Sequence, residues 1–96
     1  MSSKKLNELS DQELIHKLWF QRLSLQEKKE ICEELLGRKF LSNGNLRLLI
    51  EFLHDYDIDG HLWARLLKKK AIERLRKSAQ SNKEWEYNEK FIKEYS

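Results

Sequence analysis

The 96-residue chain contains no proline, three glycines, one cysteine and one methionine. Each shortage excludes something. Without proline there are no fixed kinks or proline-rich linkers. Three glycines are too few for a glycine-rich phosphate loop, and no Gly-x-Ser-x-Gly sequence occurs. A single thiol, Cys32, cannot form an internal disulfide. No apolar run approaches the roughly 20 residues of a membrane span. The opening Met1–Glu8 has no apolar stretch of the secretory kind. These absences set the expectation of a cytoplasmic, reducing setting with no membrane contact.

What is present is helix-forming. Leu, Lys, Glu and Arg dominate, and alternating β-branched runs are missing. Residues 1–8 read as a flexible polar arm. Ser10-Asp11-Gln12-Glu13 and Ser24-Leu25-Gln26-Glu27 are capping boxes. The first predicts a helix ending near Phe20–Arg22. The second predicts a helix over 25–36 closed by a left-handed Gly37. Ile31, Cys32, Leu35 and Leu36 form the second helix's apolar stripe, so Cys32 reads as an inert core thiol. Ser42-Asn43-Gly44-Asn45 reads as a turn, and the apolar run from Leu46 through Leu53 as a central helix reaching Tyr56.

A fourth helix is expected from Gly60 to Lys77, with Asp59 as N-cap and Ile58 and Trp63 as a hydrophobic staple. Its inward stripe is predicted as Trp63, Leu67, Ala71 and Leu75, flanked by Leu66 and Ile72. Ser81-Asn82-Lys83-Glu84 is a third capping box, opening a last helix that carries Trp85, Asn88, Phe91, Ile92 and Tyr95. One bent helix from Gly60 to Tyr95 is the alternative. The fold class is therefore all-α, a compact bundle of four to five short helices forming one domain over residues 1–96.

Charge is unevenly spread. Residues 42–60 carry one Arg against four acids, net −3, and residues 61–80 carry seven Lys/Arg against one Glu, net +6. Asp55-x-Asp57-x-Asp59-Gly60 matches the first half of a calcium loop, but Leu66 occupies the twelfth position, where a bidentate Glu closes the shell. The triplet therefore reads as a turn and cap. No Asp follows Asp59, so His54-Asp55 lacks the downstream ligand of a hydrolytic metal centre. Neither a metal, a cofactor nor an enzyme activity is expected.

The basic set Arg65, Lys68, Lys69, Lys70, Arg74, Arg76 and Lys77 lies within thirteen positions. A helix bearing it suits the phosphate backbone of DNA or RNA, and the leading expectation is a non-enzymatic nucleic-acid-binding module. The alternative is a protein-binding adaptor or inhibitor. It would meet an acidic protein surface through its asymmetric charge, or use Trp85, Phe91, Ile92 and Tyr95 as aromatic and apolar anchors.

Overall fold

The computed structural model describes residues 5–95. Among them are a short 3-10 turn, Leu6–Glu8, and five α-helices with no strand. The helices are α1 (Asp11–Phe20), α2 (Leu25–Gly37), α3 (Asn43–Ile58), α4 (Leu62–Lys77) and α5 (Asn82–Glu94). The all-α bundle expected from sequence is thus observed.

The first two helices begin as their sequences dictate. Ser10 and Ser24 each accept the amide of the Glu three residues on, and each Glu reaches back to the cap amide. The helix α3 is the central element. Its buried face, Leu46, Leu49, Ile50, Phe52 and Leu53, faces a core completed by Leu14, Leu18, Ile31, Leu35, Ala64, Ala71 and Leu75. Its most extensive pairing is with α4, its antiparallel neighbour.

Four local expectations are corrected. Ser42 is an N-cap accepting the Asn45 amide, so the turn read at Asn43–Asn45 is the first turn of α3. Gly37 is a helical residue without positive φ. There α2 ends instead under a guanidinium: Arg74 Nη1 donates to the Leu36 carbonyl at 2.8 Å, and Nη2 donates to the Arg38 carbonyl. Carbonyls left open by the helix end are thus satisfied from α4. The N-terminal arm is partly anchored, because Arg38 pairs with Asp11 at 2.7 Å and donates to the Leu6 and Leu9 carbonyls. Residues 1–4 of that arm lie outside the described residues.

The fourth correction concerns the α3–α4 turn. Asp59 is the C-cap of α3, not the N-cap of α4. Gly60 has φ +93°, its amide donates to the Asp57 carbonyl, and the His61 amide donates to the Tyr56 carbonyl. These two bonds are a Schellman motif, and the His61 and Tyr56 rings, 5.6 Å apart, supply its customary contact. His61 precedes α4 without a side-chain cap bond. The Ile58–Trp63 staple does not form, and Ile58 is 68% exposed.

The last two helices are separate, divided at Ser78–Ser81. Ser81 accepts the Glu84 amide, but Glu84 turns its carboxylate to Asn43 Nδ2 and the Gln80 amide, so the third capping box is only half made. Buried Asn88 fixes α5: its Nδ2 donates to the Leu75 carbonyl, and Arg47 donates to its Oδ1.

Two outcomes follow. Gly60→Ala will destabilise by about 1–2 kcal/mol in urea unfolding, because a Cβ is strained at positive φ. Gly37→Ala, helical with open space around its Cα, will stabilise by about 0.5–1 kcal/mol. Separately, fully buried Cys32, its thiol pushed up to about 12 chiefly by burial, will resist a maleimide in native buffer and react on unfolding.

Candidate nucleic-acid interface

The predicted basic residues all lie on α4, and the helix phase sorts them. At about 100° per residue, the arc facing the core takes Ala64, Leu67, Lys68, Ala71, Ile72 and Leu75. The opposite arc exposes Leu62, Arg65, Leu66, Lys69, Lys70, Glu73, Arg76 and Lys77. On that arc Arg65, Lys69 and Arg76 make one row and Lys70 and Lys77 another. Leu62, Leu66 and Glu73 run between them. In the inward stripe expected from sequence, Trp63 is only half-buried and Leu66 is 53% exposed.

Lys68 is buried within the fold. Its Nζ lies 2.6 Å from Asp57 Oδ2 and 3.2 Å from His54 Nδ1. An ammonium has no lone pair, so Nδ1 accepts and carries no proton in this arrangement. Arg65 Nε, across the turn, donates to Asp57 Oδ1 at 2.9 Å. The bond from Lys68, then that from Arg65, hold the Asp57 carboxyl below the usual carboxylate value, against the opposing effect of burial. Arg74 is half-buried on the carbonyls at the end of α2.

Arg76 pairs with Glu89 of α5 at 3.0 Å and keeps half its side chain in solvent. Arg65 remains 60% exposed despite its partner. Exposed pairs of this kind contribute little and are readily exchanged. Lys69, Lys70 and Lys77 are exposed and make no ion pair among the described residues. Lys70 borders a shallow groove between α2 and α4 that Glu33 also lines.

The calcium-like triplet takes another role. Asp55 and Asp57 lie on α3 and Asp59 caps it, so the alternating loop geometry of a calcium site is not formed. Among the described residues, no group of three or more His, Cys, Asp or Glu is placed to hold a metal. No helix there is long and apolar enough to cross a membrane.

The C-terminal set is divided as well. Ile92 is 1% exposed and closes the core, while Phe91 and Tyr95 are half-buried against it. Tyr95 Oη donates to Glu51 Oε1, and its ring meets His54 edge-on. Burial first, then Glu51, raises the Tyr95 phenol above its ordinary value. Trp85 alone of the four is more than half exposed. Sequence reasoning gave no docking role to Asn43, Arg47 or Asn88, which fix α5; Asn88, a polar residue within the apolar face of the last helix, was the available signal. It also missed Lys28, whose Nζ is 2.6 Å from Tyr56 Oη but 5.2 Å from the ring centroid. The ammonium therefore meets the phenol at its oxygen, not its face.

Comparisons with protein-family models, with curated proteins and with solved structures give no match.

Removing one partner of the buried pair tests its weight. Asp57→Ala will cost about 2–3 kcal/mol, since it strands the Lys68 ammonium. Lys68→Met will cost less than about 1.5 kcal/mol, since Asp57 keeps Arg65 and some solvent contact. Asp57 is more acidic folded than unfolded. Its contribution is full above about pH 3.9 and is lost as pH falls through its lowered folded value. Urea melts from pH 6 to pH 2 will show this acid loss in the native protein and a shallower one in Asp57→Asn.

Proposed function

We propose that the protein is a non-enzymatic binding module that holds nucleic-acid phosphates on the outer face of α4. One observation carries this reading. Arg65, Lys69, Lys70, Arg76 and Lys77 share an exposed arc with a single acid, Glu73. Lys68 and Arg74 take no part, since the fold employs them. The face offers ammonium and guanidinium groups in two rows and no Asn or Gln, so contact is with the backbone and not the base edges. Asp57 and Glu89 leave Arg65 and Arg76 exposed enough to trade a carboxylate for a phosphate.

A second reading, an adaptor for an acidic protein surface, draws on the same charge and on exposed Trp85. The two separate on labelled single- and double-stranded DNA and RNA.

Binding to nucleic acid will weaken with salt at a log–log slope of about −2.7 to −4.5 on duplex, for roughly three to five phosphates. Lys70→Glu with Lys77→Glu will flatten the slope and lower affinity alike for every sequence, with helix content unchanged. Lys68→Met will leave binding unaltered. Absence of binding to all four nucleic-acid types near ~50 mM salt rejects this reading in favour of the adaptor.

A further inference from the structure

The three tryptophans are not held alike. Trp19 meets Phe52 edge-on, and Trp63 packs with Tyr56 and His61. Trp85, at the first turn of α5, is 52% exposed and makes no ring contact among the described residues. Its place matters as much as its exposure. Helix α5 runs antiparallel to α4. Asn88 and Glu89 meet Leu75 and Arg76, and further on Tyr95 lies against His54, which Lys68 contacts. Trp85 is one helical turn before Glu89, on the same flank of α5. It therefore stands past Arg76, at the end of the row Arg65, Lys69 and Arg76. A strand whose phosphates follow that row from Arg65 reaches the indole next.

The groups around Trp85 say what it takes. Glu86, Glu89, Lys90 and Lys93 line a shallow depression with it. Two carboxylates beside an indole oppose an acidic side chain of a partner protein. A nucleobase is neutral, its flat face suits the indole, and its exocyclic amino group donates to a carboxylate. Lys90 and Lys93 offset the two acids, so the depression does not repel the strand that carries the base. We infer that the nucleic acid held on α4 is single-stranded, and that one unpaired base stacks on Trp85 while neighbouring phosphates lie on Arg65, Lys69 and Arg76.

Bases inside a duplex have both faces covered by their neighbours, so the indole offers a duplex nothing. Stacking is open to every base, since each has a π face, and it adds affinity without base-edge readout on α4. This inference rests on the phosphate-binding reading of α4, and its test separates the failure of one from the failure of the other.

Fluorescence anisotropy of the full chain will compare a labelled single strand of about ten nucleotides with the duplex of the same sequence. The single strand will bind more tightly. Trp85→Ala will lower single-strand affinity roughly five- to 150-fold, the worth of one stacked base, and leave duplex affinity within about two-fold. The salt slope on the single strand will not change, because no cation is removed. The single strand will also quench tryptophan emission. That quench will be absent from Trp85→Phe, whose circular dichroism will match the parent's. Equal affinity for the two forms overturns the base stack and leaves phosphate binding standing. So does single-strand binding that ignores Trp85→Ala, a loss that is equal on both forms, or a quench that survives Trp85→Phe. Absence of binding to either form removes the phosphate reading and the base stack with it.

Discussion

The turn at Gly60 is the constraint on which the rest of the molecule depends. Its positive φ reverses the chain within two residues and lays α4 back along α3. That reversal sets Asp57, in the last turn of α3, beside Lys68, two turns into α4. It also fixes the phase of α4. Once Lys68 faces inward to Asp57, Ala64, Ala71 and Leu75 must face inward too, and Leu62 and Leu66 must face out. The ion pair is not the main source of stability, since a buried pair recovers little beyond its desolvation cost. Its role here is closer to a register pin: a slip of one residue would leave an ammonium buried without its carboxylate.

The same phase explains why seven clustered basic residues do three different things. Lys68 lies within the buried arc and Arg74, six residues on, at its edge, and their long side chains reach groups on neighbouring helices. Lys68 reaches a carboxylate, and Arg74 reaches two carbonyls that α2 leaves open. Arg65 and Arg76, at opposite ends of the helix, lean toward Asp57 and Glu89. The three lysines that remain make no ion pair among the described residues. Sequence clustering alone could not separate these fates, because each depends on which neighbour stands beside α4.

Legibility followed the range of the interaction. Capping boxes at Ser10 and Ser24 act over three residues, and both appear as read. The core leucines of α3 follow from periodicity and are buried. The failures lie where two local signals compete. Asp59 is a good N-cap, yet Asp-Gly is also a good helix stop, and the long apolar face of α3 favoured continuing that helix to Ile58. Gly37 carries the usual mark of a left-handed helix end, but Arg74, 37 residues away, satisfied the carbonyls instead. The Asn43–Glu84 and Arg47–Asn88 bonds join residues 41 apart, which no local pattern encodes.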